Sequence, residues 1–125
     1  MKKYIFSIAS ILGIFSIVFG AFGAHAWEDY LISINKSDVF ETAIKYQFYH
    51  VFFLMILGFG YDKFNQQFIK YSFYMTLIGV VLFSGSLYLL CLTSNSTFGI
   101  ITPFGGLSLI CAWLFFLFSL KDYVD

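Results

Sequence analysis

The sequence contains no arginine, one proline and two cysteines, and only 11% of its residues are charged. Each scarcity excludes something. Soluble domains carry roughly 25% charged and about 45–50% apolar residues; here the apolar share is 60%. A soluble domain of 125 residues has too much surface for its volume to hide that much apolar area, so the excess faces lipid. Seven lysines balance seven acids to a formal net charge of zero, which leaves no electrostatic case for nucleic acid as a partner. Cys91 and Cys111 both lie inside apolar runs and read as small buried hydrophobes. They fall at different depths of the spans laid out below, and a disulfide needs Cα atoms within roughly 7 Å, so none is expected.

What the chain has instead is uncharged length. After Met1-Lys2-Lys3-Tyr4, the stretch Ile5–Ala24 runs without a charge, about 30 Å of helix and enough to cross a bilayer core. It ends in Gly20-Ala21-Phe22-Gly23-Ala24-His25-Ala26-Trp27, where Ala24-His25-Ala26 has the small-x-small form of a signal cleavage site. The apolar core of a signal peptide is only about 7–15 residues long. This run is longer, and Ala9, Gly13, Ser16, Gly20 and Gly23 follow a 4-3-4-3 spacing that places them on one face. Missing side chains there let a neighbouring helix approach closely, a use that a cleaved signal does not have. A retained first helix is expected.

Trp27, Tyr30, Leu31 and Ile34 then fit either a short helix lying in the membrane interface, over approximately 27–35, or an irregular loop. Asp38 and Glu41 have the spacing of a capping box, and Glu41 precedes Lys45 at the favourable i,i+4 spacing. Thr102-Pro103 fits a further helix start, with Thr as cap and Pro in the first turn. The result is one all-α transmembrane domain over 1–125, with spans at approximately 5–24, 40–60, 69–92 and 102–120. Close helix packing is expected at Gly13, Ser16, Gly20, Gly23, Gly79, Gly85, Gly105 and Gly106. Lys2, Lys3, Lys63, Lys70 and Lys121 flank one side and only Lys36 and Lys45 the other, so the positive-inside bias predicts both termini inside.

Four blocks carry a resemblance. They are Gly20-Ala21-Phe22-Gly23-Ala24-His25-Ala26; Glu41-Thr42-Ala43 with Tyr46-Gln47 and Tyr49-His50; Leu82 to Leu90; and Gly99-Ile100-Ile101-Thr102-Pro103 with Gly105-Gly106. In this order they resemble the small bacterial YgdD/YwdK-type membrane proteins (DUF423/UPF0382), a family of unknown function with eukaryotic transmembrane protein 256 relatives. The resemblance implies a four-helix integral membrane protein and supplies no substrate, cofactor or catalytic residue.

Polar groups at membrane depth are costly unless paired, so they are the first candidates for function. Thr42, Tyr46 and His50 share a stripe, Gln47 flanks His50, and His25 and Glu41 sit toward the same end; these six form a candidate polar cluster. His25 and His50 could ligate haem or copper in a redox carrier, but two histidines without a third nitrogen or thiolate do not define a metal site. The simpler reading has His50 hydrogen-bonded to Gln47, Tyr46 or a hydroxyl to fix helix register, and His25 near the carbonyls that end the first helix. A water-filled vestibule gated by His50 would need an oligomer. No inward pair of carboxylates and no Ser-His-Asp spacing suggests hydrolysis, and Gly20-x-x-Gly23 lacks the Lys-Ser/Thr of a phosphate loop.

The expectation is a multi-pass protein of the cell membrane, the inner one in a two-membrane cell, non-enzymatic and without cofactor. It would act by packing or interaction within the bilayer, with a second copy or another membrane protein as partner. An oligomeric small-solute or proton-linked channel is the alternative, and a histidine-ligated redox carrier the third.

Overall fold

A computed structural model of the chain describes residues 1–123; the last two residues of the expected polar tail lie outside that range. Five α-helices follow in order: α1 (Lys2–Ala24), α2 (Glu28–Ser33), α3 (Ser37–Gly60), α4 (Gln66–Thr93) and α5 (Thr102–Ser119), with short 3₁₀ turns before and after α5. There is no strand among the described residues. Four helices are long and apolar enough to cross a membrane. The fifth, α2, is the short amphipathic segment that the Trp27/Tyr30/Leu31 pattern allowed, with Leu31 turned inward and buried.

The helices are not equivalent. Half of the apolar window of α3 is buried inside the bundle, against 17% in the first and fourth spans. So α3 and α4 form the centre, α1 packs on α3, and α5 packs on α4. The expected small face of α1 meets α3: Ala9 is fully buried, and a Cβ on Gly13 would lie 3.5 Å from Val51. On α5, the face of Gly105, Ser108 and Ala112 meets α4 through the Phe83 backbone, the Met75 carbonyl and Ser72 respectively.

Two helix starts differ from expectation. Lys36 is the N-cap of α3 and makes no side-chain cap bond, because the helix begins at Ser37 and takes Asp38 into its first turn. Asp38 is thereby past the position from which its carboxylate could serve as cap. Likewise α5 is entered from Ile101, which places Thr102 inside the helix. Its hydroxyl bonds Ser86 of α4 at 2.6 Å instead. A true side-chain cap occurs at α4, where Asn65 Oδ1 accepts from the backbone N–H groups of Gln67 and Phe68 at 3.1 and 3.3 Å. An Asn just before an apolar run is a start signal by composition.

The two ends of the bundle are fastened differently. At the end holding the N-terminus, Lys2 pairs with Asp62 at 2.6 Å, Asn65 donates to Asp122 at 2.6 Å, and the Asn65 backbone N–H reaches the Ser119 carbonyl at 3.0 Å. At the other end, Tyr30 of α2 donates to the Cys91 carbonyl at 2.7 Å, and aromatic rings fill the space beneath. Trp27 stacks on Phe22 and sets its edge against Phe40, which in turn meets Tyr88 with centroids 5.6 Å apart. Cys91 is buried there, whereas Cys111 is exposed on α5, so the second cysteine faces outward rather than into the core. A free apolar thiol is as acceptable to lipid as to a protein interior.

Candidate functional site

Inside the bundle the polar side chains are spent on one another and on carbonyls of neighbouring helices. Gln47 of α3 bridges two helices: its Nε2 donates to the Leu12 carbonyl of α1 at 2.9 Å, and its Oε1 accepts from the Tyr88 hydroxyl of α4 at 2.8 Å. Ser16 donates to the same Leu12 carbonyl at 2.8 Å. Lower on the same pair of helices, Ser84 of α4 donates to the Ala43 carbonyl at 2.7 Å. Ser72 donates to Ala112 O at 2.7 Å and Ser108 to Met75 O at 2.8 Å, stitching α4 to α5. A helix carbonyl keeps a second lone pair after its own helix bond, and that lone pair is what these hydroxyls use. In lipid each such bond is worth about 0.6 kcal/mol, with roughly 1.7 as a ceiling.

His50 belongs to a different seam. Its Nδ1 lies 2.7 Å from the Tyr46 carbonyl, and its Nε2 lies 3.3 Å from Trp113 Nε1 of α5. A carbonyl can only accept and an indole N–H can only donate. The proton therefore sits on Nδ1 and Nε2 is the acceptor, which describes a neutral ring with both nitrogens engaged. Trp113 is held in turn by stacking on Phe53, with centroids 4.0 Å apart.

The six residues of the expected cluster are thus distributed rather than gathered. Gln47 turns to α1 and α4, His50 to α5. Tyr46 is 42% exposed, its ring against Phe83, and faces the surroundings of the bundle. Thr42 donates to the Asp38 carbonyl of its own helix at 2.8 Å. Glu41 pairs with Lys45 at 2.9 Å, as the spacing predicted. His25 is exposed at the end of α1, in a shallow hollow with Val18, Ala21, Phe22 and Ala26. His50 lies 13 residues into α3, about 20 Å along the axis from its first residue. Among the described residues no three His, Cys, Asp or Glu side chains come together in a metal-holding group.

Two partners were not singled out from the sequence, Tyr88 and Trp113. A signal existed for Trp113: tryptophans of membrane helices concentrate at the interfaces, and one placed well inside a span needs an acceptor for its N–H. Tyr88, within the run Leu87-Tyr88-Leu89-Leu90, carries the only hydroxyl of that run and had to find a partner for the same reason.

A deeper hollow lies at the α2 end. A cavity of about 570 Å³ opens between the end of α1, α2 and the first turns of α3. Gly20, Leu31, Phe40 and Ile44 give it an apolar lining, and Glu28, Glu41 and Lys45 stand on it as well. A shallower groove of about 280 Å³ between α1 and α4 passes over Gln47, Gly85 and Tyr88.

Comparison with known proteins agrees with this architecture. The sequence model of the family described as "Protein of unknown function (DUF423)" matches residues 19–106. A UPF0382 membrane protein of Staphylococcus haemolyticus is 39% identical to this chain, over 99% of both. The UPF0382 membrane protein YwdK of Bacillus subtilis is 34% identical over 99% of this chain and 100% of its own. The UPF0382 inner membrane protein YgdD of Escherichia coli is 29% identical, covering 93% of this chain and 88% of its own. No solved structure matches the chain.

Proposed function

The chain belongs to the DUF423 (UPF0382) family of membrane proteins, and from that premise we propose that it is a non-enzymatic component of the membrane that acts by packing and interaction. One observation supports this reading above the others: among the described residues, no buried side-chain nitrogen or oxygen lacks a hydrogen-bond partner. A catalytic or transporting interior keeps polar groups available to a substrate. Here Gln47, His50, Ser72 and Ser84 are all engaged by neighbouring helices, so their work is to set helix register.

The surfaces left to act are outward ones. Leu107, Ile110, Trp113, Leu114 and Leu117 of α5 are exposed, as are Ile14, Ile17 and Val18 of α1. These faces meet lipid, and they are where a second copy or another membrane protein would dock. The orientation in this proposal is both termini inside, from the lysine bias of five to two. The cavity under α2 then opens to the outer leaflet.

Photo-crosslinkers placed at Leu107, Leu114 and Ile17 in native membranes test the reading. A discrete adduct, with a mass that tells a second copy from another protein, is expected from at least one face. Lipid adducts alone from all three positions would overturn it. Orientation is checked separately: a reporter fused after Trp27 should read outside and one after Asp125 inside.

A further inference from the structure

The cavity under α2 has a composition that neither lipid tails nor water complements alone. Phe40, Leu31 and Ile44 give it apolar walls, while Glu28, Glu41 and Lys45 bring charge to its lining. It reaches about 12 Å along α3, from Ser37 to Lys45 eight residues on. The charges are unevenly spent. Lys45 uses one of its three ammonium donors on Glu41 at 2.9 Å. Glu28, reaching in from α2, has no ion pair and no side-chain hydrogen bond among the described residues. The lining therefore offers a cation with donors to spare and an unpaired carboxylate beside apolar walls.

Gly20 adds an independent observation. A Cβ on its neighbours in the small-residue face, Gly13 and Gly23, would meet Val51 at 3.5 Å and the Phe40 ring at 2.6 Å, but one on Gly20 meets nothing within 4 Å. Helix packing does not require a glycine there. Its missing side chain is space, and that space belongs to the cavity.

We propose that this cavity binds one zwitterionic amino-phospholipid. The phosphate sits at Lys45, the ammonium at Glu28, and the start of an acyl chain lies over Ile44 and the Gly20 backbone. The volume of about 570 Å³ falls within the roughly 300–1,000 Å³ of small-molecule sites, which are likewise apolar with a few placed polar groups. An anionic lipid without an ammonium leaves Glu28 facing like charge, which sets the preference. The site stands on the cavity and its charges and is independent of whether the α1 and α5 faces bind a protein.

The test uses the full-length protein, delipidated in mild detergent and followed by native mass spectrometry. It is titrated with phosphatidylethanolamine, phosphatidylglycerol and chain-free phosphoethanolamine. One phosphatidylethanolamine should be retained, with phosphatidylglycerol weaker by about fivefold, the reach of one partly exposed charge contact, and phosphoethanolamine not retained at the same concentration. Gly20→Leu should lose the lipid adduct by more than about tenfold with thermal unfolding unchanged, since the new side chain enters open space. Glu28→Gln, on exposed α2, should erase the preference over phosphatidylglycerol, and it decides the matter alone if Gly20→Leu fails to fold. Equal retention of the two lipids by the unaltered protein overturns the proposal. So does full lipid retention by a folded Gly20→Leu variant, an undiminished preference for phosphatidylethanolamine in Glu28→Gln, or retention of phosphoethanolamine as strong as that of the lipid.

Discussion

The seam between α4 and α5 and the seam between α1 and α3 are built from the same materials, glycine, serine and aromatic rings, and they close differently. Between α4 and α5 the backbones themselves approach: a Cβ on Gly105 would run into the backbone of Phe83 and Leu82, and one on Gly79 would meet Leu109 side chain at 2.5 Å and backbone nitrogen at 3.0 Å. Three hydroxyl bonds, from Ser72, Ser108 and the Ser86–Thr102 pair, lock that contact. Between α1 and α3 the neighbours of the glycines are side chains, which can turn, and one glycine has no neighbour at all. The difference teaches that a small residue in a membrane helix marks tight packing only where another backbone reaches it; elsewhere it makes room.

Gly105→Val is the largest expected effect, because backbone cannot yield as a rotamer can. Overpacking of this kind costs typically 1–3 kcal/mol and more when the backbone must move, so a loss of about 3 kcal/mol is expected in thermal or detergent unfolding. Wild-type stability in that variant would dissolve the distinction between the seams.

Gln47→Leu comes next. It removes the link from α3 to the Leu12 carbonyl and leaves the Tyr88 hydroxyl without its acceptor, at about 1–2 kcal/mol. Adding Tyr88→Phe should restore part of that loss, since the orphaned hydroxyl disappears with it; strict additivity in the double variant would show that the two side chains do not act together. Trp113→Phe is milder. It keeps an aromatic ring against Phe53 but withdraws the donor from His50 Nε2, so about 0.6 kcal/mol is expected by the average for hydrogen bonds in lipid. A loss approaching that of Gly105→Val would mean that α5 is held through α3 as much as through α4.

These effects also mark what could be read from the chain. Apolar length located the four long helices, and the 4-3-4-3 spacing placed Ala9 and Gly13 on a contact face, because lipid leaves little else for small residues to do. Helix starts were less legible. Lys36, Ser37 and Asp38 all stand within reach of the first turn of α3, and the choice among them is made by the preceding turn, where Asn35 takes a left-handed φ of 54°. Thr102 has the composition of a cap, but Ser86 of α4, distant in sequence, claims its hydroxyl. The polar residues were recognisable as candidates on cost alone. Their partners were not, since Leu12, Tyr88 and Trp113 reach α3 across 35, 41 and 63 residues and depend on the order of helices around the bundle, which periodicity does not encode.

The finest separation lies within α1 itself. Gly20→Ala and Gly23→Ala are the same substitution three residues apart in one helix and one small face. At Gly23 the new methyl meets the Phe40 ring at 2.6 Å. The ring must turn away from Trp27 and Tyr88, which it contacts edge-on, so a loss of about 1 kcal/mol is expected. At Gly20 the methyl meets nothing, and the higher helix propensity of alanine acts alone. That preference is up to about 1 kcal/mol in water. In a bilayer α1 stays helical even when it separates from its neighbours, because its backbone has no other partner, so the gain falls to a few tenths. Unfolding measured on the two variants side by side should therefore show opposite signs. Equal losses would mean that α1 closes on α3 along its whole length, and the cavity under α2 would not exist in the membrane.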